Sequence, residues 1–347
     1  MIELRSDTFT LPTPAMLEAM THASLGDDVY GEDPTVRSLE ELAAHKLGKE
    51  AACLMPSGTM ANLASLMAHC PRGSKVLVGD ESDIFIYEAG GASVCGGIVY
   101  APVPTQVDGC LLVSDLEQAC PDDSSDPQFA PPALICLENT HNRCGGVILP
   151  LSYLQQVAHF AQARKLPIHM DGARIFHAAV ALGISPAETA RYANSLQFCL
   201  SKALSAPIGS MVVGDTAFIG AIRRIRKMLG GGMRQAGIIA AAGIIALEHM
   251  VDRLAEDHAN ARRLAEGLAQ LAGIQIDLHT VQTNIVIFRV VSAHLNTQTF
   301  ITLARQRGLN VGEFGHGRIR AVLHYGITAY DVDTALTIID DILRHDG

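Results

Sequence analysis

Between Glu50 and about Gly214, short apolar runs alternate with segments of helical pattern, and this alternation constrains the fold more than any other feature. Parallel neighbours in a sheet need a long crossover, usually a helix, so a chain written this way builds a mainly parallel sheet packed with helices. With 347 residues, 48% of them hydrophobic and only 18% charged, it can bury a large core and still extend into a second, smaller unit. The expected organisation is an N-terminal arm over residues 1–30, a large domain over 31–245 and a small α+β domain over 246–347.

Local signals fill in this outline. A helix is predicted from Asp33 to about Leu47, opened by an aspartate cap and an early proline. Residues 236–247 read as an apolar helix, buried or facing another subunit, about half the length a membrane span needs. One long amphipathic helix is expected over 248–271, then a strand at 283–288 and helices near 297–307 and 330–344. The polar stretch 121–127, with proline at each end, reads as a surface loop, and no internal repeat stands out.

The candidate chemistry lies where apolar runs end. Residues 198–200 lead into Ser201-Lys202-Ala203, which delivers a lysine to the end of a buried strand with no carboxylate beside it in sequence. A desolvated amine loses its proton more easily and becomes a nucleophile for carbonyl compounds. Residues 166–170 form another apolar run that ends in Asp171-Gly172-Ala173-Arg174. A strand-end aspartate is commonly just a helix cap, but paired with Lys202 it suits a cationic ring nitrogen, with Gly172 and Ala173 allowing close approach. Residues 51–56 read as a strand, Ser57-Gly58-Thr59 as a turn and residues 60–67 as a helix, so hydroxyls and free N–H groups gather at a helix N-terminus, where an anion binds. Together these give a lysine for an aldehyde, a carboxylate for a ring nitrogen and a cradle for a phosphate. That is the set pyridoxal 5'-phosphate needs.

Other partners are disfavoured. A formal net charge of −10 repels nucleic acid, and the one basic run, residues 223–227, reads as a solvated helix face or an anion contact near the cofactor. The eight cysteines include no C-x-x-C pair, so neither zinc nor another metal is expected. The first residues lack the basic segment and apolar core of a signal peptide, which points to a cytoplasmic protein without disulfides.

Leu4-Arg5-Ser6-Asp7-Thr8, residues 26–35, Leu137-Glu138-Asn139-Thr140-His141-Asn142, Asp171-Gly172-Ala173-Arg174, Leu200-Ser201-Lys202 and Gly230-Gly231-Gly232-Met233-Arg234-Gln235 resemble the low-specificity L-threonine aldolases along the whole chain. The resemblance implies a pyridoxal-phosphate enzyme of fold type I, the aspartate-aminotransferase superfold. Its large domain would carry a mainly parallel seven-stranded sheet, beside a small C-terminal α+β domain. It also implies roles: Lys202 carries the cofactor, Ser6, Arg174 and Arg320 lie near cofactor or substrate carboxylate, and His141 contacts the β-hydroxyl. Arg234 would reach the phosphate of a neighbouring subunit, in a homodimer or homotetramer with active sites at the dimer interface. Arg318 has the same chemistry as Arg320 two residues away, so only the alignment separates them. Glu88 falls near the expected ring with no role assigned.

One departure stands out. Residues 79–88 align without gaps to a family segment that carries histidine where this chain has Asp83. Aspartate has no aromatic face to stack on a ring, but it can act as a base for a β-hydroxyl. A smaller departure is Ala203, where the family often has glycine. The expected reaction is cleavage of L-threonine, L-allo-threonine and related β-hydroxy-α-amino acids to glycine and an aldehyde. Asp83 leaves open β-elimination, racemisation, transamination or aldol synthesis with another aldehyde. A catalytically silent paralogue that only binds the cofactor is the alternative from another class.

Overall fold

The computed structural model describes residues 1–121, 126–292 and 294–345, so the core of the predicted 121–127 loop lies outside the described residues. Strand β1 (Ile2–Glu3) stands apart from the main sheet. That sheet is built from β2 (Ala51–Met55), β3 (Lys75–Gly79), β4 (Val99–Val103), β5 (Pro132–Glu138), β6 (Ile168–Asp171), β7 (Ser195–Cys199) and β8 (Ser210–Gly214). Their order is β2-β8-β7-β6-β5-β3-β4; only β8 runs against the rest, antiparallel to both β2 and β7. The expected mainly parallel, seven-stranded sheet is present. Strands β6, β7 and β8 are buried along their whole length, as expected of strands covered on both faces.

Beyond it, β9 (Ile274–Ile276) and β10 (Ile285–Val290) join β12 (Gly312–Glu313) and β13 (Ile319–Val322) in an antiparallel sheet of order β12-β13-β10-β9, while β11 (Leu309–Asn310) pairs in parallel with β1. A separate apolar core of Phe288, Phe300, Leu264, Ile339 and Leu4 lies under this second sheet. The predicted strand at 283–288 therefore starts two residues late. Thr283 and Asn284 are buried, and their side chains satisfy the carbonyls of Gly146 and Leu323 instead of extending the ladder.

Helix Pro34–Leu47 forms as predicted, with Asp33 Oδ1 accepting from the N–H groups of Thr35 and Val36. The two helices expected over 236–247 and 248–271 form as Gly237–His249 and Leu254–Leu268, the second starting later and ending earlier than its pattern suggests. Gly237–His249 packs Ala240, Ala246 and Leu247 into the core of the large sheet, whereas Leu254–Leu268 turns Ala261, Leu264 and Leu268 into the core of the small one. One straight helix cannot face both cores, so the chain breaks between them. The basic run is only partly a solvated face: Arg224 and Lys227 are exposed, but the other two arginines turn inward. Arg226 is buried, pairs with Asp28 at 2.8 Å and donates to the Leu54 carbonyl, while Arg223 binds Glu40 and the Ala52 carbonyl. Among the described residues no helix is long and apolar enough to cross a membrane.

Candidate active site

Six parallel strands place their carboxyl ends along one edge of the large sheet, the position where open α/β sheets bind ligands. Asp171 ends β6, Lys202 follows β7, Ser57 follows β2, and the turn after β3 leads to Asp83. A cavity of about 350 Å³ opens at this edge, lined by Ser57, Gly58, Thr59, Asp83, Asp171 and Lys202 among others. Residues predicted from four separate sequence segments thus meet around one cavity.

Ser57 caps the helix Gly58–His69, its Oγ accepting from the Met60 N–H at 3.2 Å, which leaves its O–H free to donate. The N–H groups of Gly58 and Thr59 lie in the first helical turn, where no carbonyl of the helix can reach them. A Cβ on Gly58 would lie 3.0 Å from Cys199 Sγ, so a larger residue here would press on that side chain.

Asp171 is buried and held on three sides: by the Ala173 N–H at 3.0 Å, by Asn62 Nδ2 at 2.9 Å and by Gln197 Nε2 at 2.5 Å. Burial nevertheless raises its pKa, against the opposing charge of Lys202 and with the help of Asp83. A cationic ring nitrogen is the partner that would relieve this. The small residue after it answers to a different neighbour than expected: a Cβ on Gly172 would sit 2.9 Å from the Gln197 carbonyl. It is strand β7, not a ligand, that approaches there.

Lys202 departs from the expectation of a depressed amine. Burial pushes its pKa down and the nearby Arg174 charge adds to that, but the electrostatic influence of Cys199, Asp7 and Asp83 outweighs both, and the net direction is up. Asp7 comes from the N-terminal arm, invisible in the sequence around Lys202. The arm is tied on by Thr10 Oγ1, which donates to the Lys202 carbonyl at 2.8 Å.

Arg174 is not a surface arginine. Its Nε and Nη2 donate to the two oxygens of buried Asp7, each at 2.7 Å, and this pairing holds Asp7 well below the usual carboxylate range despite burial. Ser6 caps the turn that presents Asp7, accepting from the Thr8 N–H at 3.3 Å. Both residues thus stand behind Lys202, and neither lines the cavity.

On the opposite wall, Glu138 at the end of β5 accepts from the Asp83 and Asn142 N–H groups, each at 2.8 Å. Asn142 Nδ2 then donates to both oxygens of Asp83 at 3.0 and 3.2 Å, and its Oδ1 accepts from Arg320 Nη1 at 2.7 Å. Burial first, then Asp83 and Asp171, raise the Glu138 pKa well above normal, and burial with Asp171 does the same for Glu88. Arg318 points elsewhere: Nη1 donates to the Arg143 carbonyl at 3.1 Å and Nη2 lies 3.7 Å from Glu81.

Like Ser6 and Arg174, the predicted residues Arg320, His141 and Arg234 do not line the cavity. The His141 ring is buried with Nδ1 4.0 Å from Glu138, and burial pushes its pKa down to about 4. Arg234 is exposed, donating to Asp27 at 2.9 Å. Sequence reasoning also missed Asn62, Gln197 and Asn142. Only Asn142 sat in a quoted motif, and no local pattern marks an amide that will bridge two strands.

Beside a mainly parallel sheet with a strand-end lysine, a strand-end aspartate and a helix-start cradle at one edge, residues 3–291 match the Beta-eliminating lyase family, and the chain belongs to it. Within it, the chain belongs with the low-specificity L-threonine aldolases. It is 42% identical to low-specificity L-threonine aldolase 1 of Arabidopsis thaliana over 97% of this chain and 94% of that one. To the low specificity L-threonine aldolase of Escherichia coli K12 it is 48% identical, over 84% and 85% of the two chains. The fold matches a threonine aldolase structure from Leishmania major with a TM-score of 0.83 at 18% identity, covering 99% of this chain and all of that one. The fold-type I expectation therefore holds.

Proposed function

We propose that this chain binds pyridoxal 5'-phosphate and cleaves L-threonine or L-allo-threonine, and related β-hydroxy-α-amino acids, to glycine and an aldehyde. The observation that carries the reading is the convergence of Lys202, Asp171 and Ser57-Gly58-Thr59 on one cavity. The donor set fits the group. Lys202 would hold its aldehyde, Asp171 its ring nitrogen, and the Ser57 hydroxyl with the N–H groups of Gly58 and Thr59 its phosphate. Bound there, the cofactor supplies the electron sink into which the pair of the breaking Cα–Cβ bond can move.

The chain's own residues do the rest. Arg320 would take the substrate carboxylate: Nη1 and Nη2 are fixed by Asn142 and the Arg5 carbonyl, and its buried Nε has no partner. Asp83 would accept the β-hydroxyl proton. It lines the cavity, and the Asn142 amide leaves lone pairs on its oxygens unused. These positions favour Asp83 over His141 as the base. Arg174 would act through Asp7 on the electrostatics of Lys202. Arg234, outside its own cavity, supports a homodimer or homotetramer in which it serves the neighbouring site. The division into arm, large domain and small domain goes with this reading.

A second reading, a repurposed reaction such as β-elimination, rests on Asp83 standing where the family has imidazole. The test is direct. Purified enzyme is reduced with borohydride and mapped, then assayed for glycine and acetaldehyde on both threonine diastereomers. A pyridoxyl label on Lys202 with release of both products is expected; label on another lysine removes the central assignment. A labelled enzyme that releases neither product selects the second reading.

A further inference from the structure

A buried polar chain runs from Asp171 into the otherwise apolar interior of the sheet. Asn62, His169 and Ser195 are each at most 1% exposed, and they end on His69, which stacks on Phe218. The links are Asp171 Oδ2 to Asn62 Nδ2 at 2.9 Å, Asn62 Oδ1 to His169 Nε2 at 3.1 Å, His169 Nδ1 to Ser195 Oγ at 2.9 Å and Ser195 Oγ to His69 Nε2 at 2.8 Å.

The direction of every bond in this chain is forced. Asn62 faces Asp171 and Glu88, at 2.7 Å, with one terminal atom of its amide, and only an NH₂ group can satisfy two carboxyl oxygens. Its oxygen must then accept, so His169 Nε2 carries a hydrogen. Burial pushes His169 down to about 3, which leaves a neutral ring with a bare Nδ1. Ser195 must donate to that nitrogen, and its oxygen in turn accepts from His69 Nε2. All four donors point toward Asp171. Reversing any one of them would leave a buried group facing its own kind.

We propose that His169 and Ser195 are positioning residues that lock Asn62 in the orientation which keeps Asp171 a hydrogen-bond acceptor, and through it keep the ring nitrogen of pyridoxal phosphate protonated. The inference rests on the cofactor reading given above. Glu88, which shares the Asn62 amide, and the charged groups Lys202, Asp83 and Glu138 act on Asp171 from the cavity side. The relay is the only input to it from within the sheet among the described residues, apart from Gln197.

The test loads cofactor labelled with ¹⁵N in the ring onto the holoenzyme and its variants, and reads the nitrogen resonance against pH. Wild type should stay at the pyridinium position through the neutral range. His169→Leu should move toward the neutral-pyridine position and titrate, with kcat down roughly tenfold and KM nearly unchanged. His169→Gln, whose amide can still donate to Asn62, should follow wild type, and Ser195→Ala should move partway. A wild-type resonance in loaded His169→Leu overturns the proposal. If that variant does not fold, a wild-type resonance in Ser195→Ala overturns it equally. Wild type that takes up no labelled cofactor would instead sink the cofactor reading, and the relay with it.

Discussion

Two aspartates line the same cavity, and they are held in opposite ways. Asp171 receives three donors from Ala173, Asn62 and Gln197, and is committed as a fixed acceptor. Asp83 receives a single amide from Asn142, shared between its oxygens, in a wall crowded with Glu138 and Glu88. A carboxylate saturated with donors suits a constant electrostatic duty. One with lone pairs to spare suits a proton that comes and goes.

The largest test of this contrast is Asp171→Asn, which keeps most of the hydrogen bonds but removes the charge. Turnover should fall on the order of 10³-fold, about 4 kcal/mol, in steady-state acetaldehyde release. A loss under tenfold would show that the charge is not needed. Next is Arg320→Ala, expected to cost roughly 2 to 4 kcal/mol in kcat/KM, mostly through amino-acid binding, with cofactor absorbance little changed. If Arg318→Ala shows the larger loss, the carboxylate site moves two residues. Asp83→His should keep or modestly raise threonine turnover, because an imidazole can also accept a proton. Abolished turnover in that variant would show that the carboxylate itself is essential.

The smallest effects concern stability, and here the two walls differ in sign. His169 has a folded pKa of about 3, below its unfolded value, so its contribution is complete above roughly pH 6.5 and is lost as pH falls. Glu138 is raised when folded, so its contribution is complete below roughly pH 4.3 and is lost as pH rises through the folded value. Thermal denaturation of His169→Gln should therefore lose about 2 kcal/mol less than wild type between neutral pH and about pH 5. Glu138→Gln should instead flatten the alkaline limb. Parallel curves for all three proteins would contradict both assignments.

Much of this was legible in the sequence, for a physical reason. Lys202, Asp171 and Ser57 each end or follow a buried strand, so an apolar run announces them. Arg174 and Asp7 were unreadable as a pair, because 167 residues separate them and neither sits in a pattern that implies burial. The Lys202 environment was misread on the same account: besides Cys199 of its own segment, the groups that raise it are Asp7 of the arm and Asp83 in the turn after β3. The inward Arg226 and the late start of the helix Leu254–Leu268 belong to this class too. Periodicity reports that a helix has an apolar face, but not which core that face will meet.

Residues 2–10 are threaded between regions that lie far apart along the chain. Ile2 and Glu3 lie against Leu309 and Asn310, Asp7 holds Arg174, and Thr10 is fastened to Lys202. During synthesis, at roughly 5–20 residues per second, the earliest residues must wait for more than three hundred others to leave the ribosome before this strap can close. The parallel sheet can assemble well before then, yet the electrostatic setting of its lysine cannot. The nascent chain thus exposes its lysine while Leu309 and Asn310, which fasten the start of the strap, are still to be made.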